Sequence, residues 1–239
     1  MSNTNTDNGS SAENSQKSAP VITVDGPSGS GKGTISQILA TKLGYHLLDS
    51  GALYRLTALS VLKNDIDTND IQAVAKAALE LDVVFEPQID GEQKVLLNGQ
   101  DVGVELRLDE TSEMASKVAA IPEVRDALLI RQKKFRQLPG LVADGRDMGT
   151  VVFPDAKHKV FLTASPEVRA ERRHKQLIEK GVDANISHLL KGIIERDERD
   201  RTRTVAPLVP AEGAFVVDSS TISIDEVVQQ IFDFIGFSE

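Results

Sequence analysis

Residues Gly26 to Thr34 read Gly-Pro-Ser-Gly-Ser-Gly-Lys-Gly-Thr, and these residue types at this spacing suit one kind of chemistry. An apolar run, Val21-Ile22-Thr23-Val24, precedes them, and Ile35, Ile38, Leu39 and Leu43 follow at helical spacing. A strand, a glycine-rich turn, a lysine and a helix together cradle the phosphates of a nucleoside triphosphate. Gly26, Gly29 and Gly31 put no side chain between backbone N–H groups and an approaching phosphate. The N-terminus of the helix adds unpaired donors and the positive end of its dipole. Lys32 brings a point charge for the β- and γ-phosphates. The hydroxyl that commonly follows the lysine and holds Mg²⁺ is displaced by one position: Gly33 stands there, and Thr34 comes next.

Further along, charged residues gather where apolar runs end. His46-Leu47-Leu48 leads into Asp49, Ser50, Tyr54 and Arg55, and Gly140–Ala143 leads into Asp144, Arg146 and Asp147. Val160-Phe161-Leu162 leads through Ser165-Pro166-Glu167 to Arg169, Arg172 and Arg173. Guanidinium forks fit phosphate oxygens two at a time, and phosphoryl transfer needs cations around the transferred group. In the run Glu195–Arg203, the spacing predicts that Arg196, Asp200 and Arg203 share one helical face. A mixed-charge helix of this kind is equally what a solvated, salt-bridged surface looks like. Asp144 suits either an acid beside a metal or a turn cap. The four histidines show no metal spacing, and the absence of cysteine excludes disulfides, thiol catalysis and thiolate-held metals.

The elements that must position these groups alternate. Strands are predicted at Val21–Val24, His46–Leu48, Gly140–Ala143, Val160–Leu162 and Phe215–Val217, with helical patterns between them. Ser50 is the expected N-cap of the helix carrying Leu53, Leu56, Leu59 and Leu62, and Ser223 with Glu226 forms a capping box for the last helix. Such alternation predicts an α/β fold with a parallel sheet and helices on both faces, whose ligands bind at the carboxyl ends of the strands. One segment breaks the rhythm. Val83-Val84-Phe85, an Asp90-Gly91 turn, Lys94–Leu97, an Asn98-Gly99 turn and Val102 predict a small antiparallel meander inserted into the domain.

A net charge of −9 over 239 residues excludes the basic footprint of a nucleic-acid binder. If the ligand carries phosphate, the arginines must be concentrated in one cleft. No apolar run is long enough to span a bilayer, so no membrane partner and a cytoplasmic location are expected. No unexplained apolar stripe demands a partner, so a monomer is expected. Residues 1–20 are rich in Ser and Asn and are expected to form a disordered polar tail outside the domain at 21–239.

The form Gly-Lys-Gly-Thr is that of the kinases of small nucleotides, such as the adenylate-kinase group. Five segments together resemble the bacterial cytidylate kinases: GPSGSGKGT, LLDSGALYR (Leu47 to Arg55), VRDALL (Val124 to Leu129), ADGRDMGTVVFPDA (Ala143 to Ala156) and ERDERDRTRTVAPL (Glu195 to Leu208). The similarity runs from about Val21 to near the C-terminus, and the DGRDMGT element is more specific than the glycine-rich loop. It implies a P-loop kinase fold: a five-stranded parallel sheet flanked by helices, an antiparallel-β monophosphate-binding insertion at about 76–117, and a helical lid at about 166–185.

The resemblance also implies roles. Gly26, Pro27, Ser28, Gly29, Ser30, Gly31, Lys32, Gly33 and Thr34 would bind ATP, with Mg²⁺ held largely through water near Thr34 and Asp144. Arg55, Arg146 and Arg203 would grip the acceptor phosphate, and Arg196 and Asp200 the ribose. Ser116, Arg125 and Asp147, with Ser50 nearby, would read cytosine. Lys32, Arg146, Arg203 and the lid residue Arg172 would be catalytic. The implied reaction is transfer of phosphate from ATP to CMP or dCMP. Two alternatives stay open on the residues alone: a P-loop kinase for another small acceptor, such as shikimate, and a nucleotide-dependent switch.

Overall fold

The computed structural model describes residues 19–86, 94–179 and 181–237. Its first part runs β1 (Val21–Asp25), α1 (Lys32–Leu43), β2 (His46–Asp49), α2 (Ser50–Lys63), α3 (Ile71–Leu79), β3 (Val83–Glu86), β4 (Lys94–Leu97) and β5 (Gln100–Asp101). The rest runs α4 (Asp109–Val118), α5 (Pro122–Lys133), β6 (Leu141–Gly145), a π-turn (Met148–Val152), β7 (His158–Thr163), α6 (Pro166–Glu179), α7 (Ile186–Thr202), β8 (Phe215–Asp218) and α8 (Ile224–Ile235).

The five predicted strands form one parallel sheet in the order β2-β6-β1-β7-β8. Each central strand is apolar on consecutive positions because both faces of the sheet are covered. Val21, Leu48, Leu141 and Ala143 pack into a core with α2, α4 and α5. Ile22, Val24, Val142, Val160, Leu162 and Val217 pack on the other face with α1 and α8. Burial on both faces is what fixes the register, since a one-residue slip would exchange the two cores. From β1 the chain goes past β6 to the edge strand β2, returns to β6 and then crosses to β7. The crevice at such a reversal opens at the carboxyl ends of β1 and β6, where charged residues were expected to gather.

The inserted meander is present. β3, β4 and β5 form a separate antiparallel sheet. Asn98 (φ 50°) and Gly99 (φ 75°) both adopt the left-handed region, as a two-residue hairpin turn requires. The expected Asp90-Gly91 turn lies outside the described residues. Val102 sits just past β5 and is fully buried in the core that includes α2 and α4.

Local details differ from expectation in two places. Asp49, not Ser50, caps α2: its carboxylate accepts from the Ala52 N–H at 2.9 Å, and Ser50 is the first helical residue. A carboxylate at this position also answers the helix dipole. At the other end of the chain, Ser223 and Glu226 make the capping box of α8 as anticipated. The second difference is the N-terminal boundary. Ala19 is buried, its carbonyl accepts from Arg136 Nε at 2.8 Å, and the Pro20 carbonyl accepts from Leu141 N at 2.9 Å. The fold therefore begins before residue 21, while residues 1–18 of the expected tail lie outside the described residues.

Candidate active site

The Gly26–Thr34 loop joins β1 to α1 and is shaped by close contacts. A methyl group at Gly26 would lie 2.0 Å from the Leu162 carbonyl oxygen, so the loop can leave the sheet here only as glycine. Gly31 caps α1 in the left-handed conformation (φ 93°), which turns the first N–H groups of the helix outward without a side-chain cap. Lys32 is the first residue of α1, and its Nζ donates to the Pro27 carbonyl at 3.2 Å, folding back over the loop. Thr34 is exposed on the first turn.

Asp144, near the end of β6, faces this loop. Its Oδ1 lies 4.0 Å from Lys32 Nζ, and its Oδ2 lies 3.5 Å from where a Cβ on Gly33 would stand. Burial pushes the Asp144 carboxyl up to about 6 against the pull of Lys32. Burial likewise pushes the Lys32 ammonium down to about 8 against the pull of Asp144. Burial therefore outweighs the mutual attraction of the two groups, and both would be relieved by opposite charge brought from outside. Among the described residues no backbone N–H caps onto the Asp144 carboxylate.

A second cluster gathers five arginines from α2, α5, α7 and the segments just past β6 and α7, and binds three of them to carboxylates. On α2, Arg55 meets Asp49 at 2.8 Å. Arg125, on α5, bonds to the Asp147 carboxylate and donates to the Ala119 carbonyl at 3.1 Å. Both members of this pair are buried, and the guanidinium lies 5.6 Å from the Tyr54 ring centre. Arg146 Nε meets Asp200 Oδ2 on α7 at 2.5 Å. Burial raises the Asp147 carboxyl, although Arg125, Arg203 and Arg146 oppose it. For Asp200 burial acts upward, but Arg146, Arg196 and Arg203 outweigh it and hold the carboxyl below its usual range.

Several groups in the cluster are left over. Ser116 Oγ on α4, Arg196 Nε and Arg203 Nη2 are buried without a hydrogen-bond partner. Arg196 is pushed down to about 10 by burial and by Arg146, which outweigh the pull of Asp200. Arg203 departs from the expected helical face. It lies just past α7 (φ −59°, ψ 140°), and its Nε donates to the Ala206 carbonyl at 2.6 Å. Ser50 is buried at the start of α2.

The arginines of α6 divide. Arg169, foreseen only as part of a basic helix, is among the largest fully buried side chains. It holds Asp197 of α7 with two N–H groups and donates to the Ser28 carbonyl at 3.0 Å and the Ala164 carbonyl at 3.0 Å. Arg172 donates to the Ser219 carbonyl at 2.5 Å and to the Ser30 carbonyl at 3.4 Å. Both therefore brace the loop from behind, and Arg169 is the larger brace. Asp25 was also missed. It ends β1 directly before Gly26, buried, and accepts from the N–H groups of Met148 and Gly149 at 2.8 Å each. An acid ending an apolar strand was the same signal that picked out Asp144.

The arrangement has two facing halves: a loop of open backbone donors with one lysine, and a partly buried cage of guanidinium and carboxylate groups. Residues 22–236 match the cytidylate kinase family. A cytidylate kinase of Aeromonas hydrophila is 60% identical over 211 residues, 88% of this chain and 91% of that protein. One from Colwellia psychrerythraea is 56% identical over 219 residues, 92% and 97% of the two chains. Among solved structures, an uncharacterized protein from Eubacterium ventriosum superposes with a TM-score of 0.50 at 11% identity, over 92% of this chain and 99% of that one, a likeness of fold. With the family matched across nearly the whole described fold, this chain belongs to the cytidylate kinase family.

Proposed function

We infer that the chain transfers the γ-phosphoryl group of ATP to CMP and dCMP. The observation that carries this reading is the buried Arg125–Asp147 pair on the acceptor side of a phosphate-binding loop. Cytosine presents an N4 amino donor beside the N3 and O2 acceptors. A fixed carboxylate next to a fixed guanidinium offers the complementary order, an acceptor beside donors. Uracil replaces the amino donor with an acceptor and would set a lone pair against Asp147, a mismatch that a buried polar site penalises heavily. Ser116 is a third candidate for the base, because its buried hydroxyl lacks a partner in the free protein.

Arg55, Arg146 and Arg203 are suited to the acceptor phosphate, and Arg196 with Asp200 to the ribose. The unpartnered Nε of Arg196 and Nη2 of Arg203 support these assignments, since an uncompensated buried donor gains most from an incoming anion or hydroxyl. Lys32 and the loop N–H groups would take the triphosphate. Transfer then needs no covalent enzyme intermediate, only in-line positioning and neutralised charge. A lid at about 166–185 would take in α6, which carries Arg172.

Mg²⁺ fits the residues present in a limited way. Among the described residues no group of three His, Asp or Glu side chains forms a cage. Asp144, raised to about 6 by burial, and the exposed Thr34 hydroxyl are the groups that would face the cation through water. Bound there, Mg²⁺ would neutralise the triphosphate and fix its geometry. A cytoplasmic location and a monomeric state complete the reading; among the described residues no helix is long and apolar enough to cross a membrane.

The test is an acceptor panel of CMP, dCMP, UMP, AMP and GMP with ATP and Mg²⁺, read as ADP formed. CMP and dCMP should lead by at least an order of magnitude over UMP. ADP formation that is independent of any monophosphate would identify a nucleotide switch instead.

A further inference from the structure

We propose that Asp25 is a positioning residue for the acceptor side: its carboxylate shapes the backbone turn that presents Arg146 and Asp147, although it belongs to the strand that feeds the donor loop. This rests on the reading of the acceptor site given above.

The geometry starts from alternation along β1. Thr23 and Asp25 point to the same face, toward the π-turn, while Ile22 and Val24 point to the opposite core. The turn Met148–Val152 follows Asp147 directly and is closed by the Asp147 and Met148 carbonyls. Val151 N and Val152 N donate to Asp147 at 2.9 and 3.2 Å, and Phe153 N donates to Met148 at 2.7 Å. π-turns are rare and gather at functional sites, because the wider winding is kept only where the surroundings enforce it.

The first N–H groups of any helical turn have no partner within it. Here they belong to Met148 and Gly149, both buried. The two oxygens of Asp25 take one each, at 2.8 Å. No neighbouring hydroxyl substitutes for them: Thr23 Oγ1 and Thr150 Oγ1 are buried and unpartnered. The turn is also pressed against the strand, since a Cβ on Gly149 would lie 2.9 Å from Thr23 Oγ1 and 3.3 Å from Lys159 Cδ. One carboxylate therefore fixes where the turn begins, and with it the two residues just before. Asp147 and Arg146 then reach Arg125 and Asp200 from a backbone that the turn holds.

The ionised form is needed, because only a carboxylate accepts from two N–H groups with both oxygens. Burial, with Asp147 and Asp144 facing it, raises Asp25 to about 7 despite these two bonds. Lys159, from β7, is a nearby cation, its Cδ 3.3 Å from where a Cβ on Gly149 would stand. This position is not the work of a general core acid. A leucine or valine would fill the space, but would orphan both N–H groups.

The experiment compares the wild type with Asp25→Asn in the full chain, using CMP and UMP as acceptors. An amide offers one oxygen and sets its NH₂ against the second N–H. The KM for CMP should rise about tenfold, the loss expected with one charged hydrogen bond. The preference for CMP over UMP should fall several-fold, and the KM for ATP should stay within about twofold, because Gly26 and Gly31 hold the donor loop independently. A purely structural role would lower the folded fraction and leave both KM values and the preference alone. A folded Asn variant with wild-type constants overturns the proposal. If that variant does not fold, the wild type carries the test by ¹⁵N amide shifts. Met148 and Gly149 should move together with an inflection near pH 7, and the CMP-to-UMP ratio should change in step. Static amides, or a constant ratio through that range, also overturn it. A wild type that ignores CMP sinks the functional reading and this inference with it. A wild type that uses CMP beside an unaffected variant sinks this inference alone.

Discussion

The two halves of the site solve the same problem, holding a phosphate, by opposite means. The donor half is one continuous stretch, Gly26 to Thr34, that offers backbone N–H groups and one lysine. Its lysine is compensated only loosely, with Asp144 Oδ1 at 4.0 Å. The acceptor half is assembled from α2, α4, α5, β6 and α7, and offers side chains. Three of its five arginines are already committed in the free protein: Arg55 to Asp49, Arg125 to Asp147 and Arg146 to Asp200. Backbone donors suit any triphosphate and discriminate little. Pre-paired side chains are fixed in direction before the ligand arrives, which gives selectivity but makes each member depend on its partner. The donor half should therefore lose activity without losing the fold, and the acceptor half should lose both together.

Lys32→Ala tests the first half and should have the largest effect. Turnover should fall about a thousandfold, the scale of removing a charge that acts on developing phosphate charge. The melting temperature should barely change, because Asp144 is already pushed up to about 6 by burial and can take up a proton once the lysine is gone. Calorimetry beside initial rates checks both parts. The same lysine sets a pH limb in the wild type. Lowered to about 8 by burial, it loses its charge as pH rises through that value. kcat/KM for ATP, which reports the free enzyme, should fall roughly tenfold per unit above about pH 8. The decline in kcat should begin at higher pH, since bound phosphate favours the charged lysine. Coincident limbs would mean that the lysine does not face the triphosphate.

Arg146→Ala should come next, lowering kcat/KM for CMP about a hundredfold and destabilising the protein by about 3 kcal/mol, because it removes the ion-pair partner of the buried Asp200. Replacing Asp200 by Ala as well should restore part of the stability and none of the activity. A double-mutant cycle read by urea denaturation and by rates separates the two. Equal stability losses for Lys32→Ala and Arg146→Ala would erase the contrast between the halves.

This contrast also explains what could be read in the chain. Motifs confined to neighbouring residues were legible: the loop, the five strands, the Asn98-Gly99 hairpin and the Ser223–Glu226 cap each follow from local periodicity or turn chemistry. The acceptor arginines were visible as strand-end charges, but their pairing was not. Arg125 lies 22 positions from Asp147, and Arg146 lies 54 from Asp200, so only the folded chain selects which acid meets which base. Arg203 failed as a helical-spacing argument because α7 ends at Thr202, one residue too early. Asp25 escaped because its partners are backbone groups, which carry no side-chain signature, and Arg169 because its acid, Asp197, lies 28 positions away and its other partners are backbone carbonyls.

Within the acceptor half, the smaller predictions separate a paired group from an unpaired one. Asp147→Ala should reduce the CMP-over-UMP preference by about 1–3 kcal/mol, the scale of one lost base contact. It should also destabilise the fold, because Arg125 loses its buried partner. Ser116→Ala should do the opposite to stability. The Ser116 hydroxyl is buried with no partner in the free protein, so its removal relieves a desolvated dipole and should stabilise by about 1 kcal/mol. If that hydroxyl faces the base, the same substitution should raise the KM for CMP by only a few-fold, since the group lost is neutral and the arginines remain. Stability and affinity would then move in opposite directions from one substitution. Urea midpoints and CMP titrations on the same preparation measure both. A variant that gains stability with an unaltered KM would make Ser116 a packing defect of α4, and would leave recognition of the base to Arg125 and Asp147 alone.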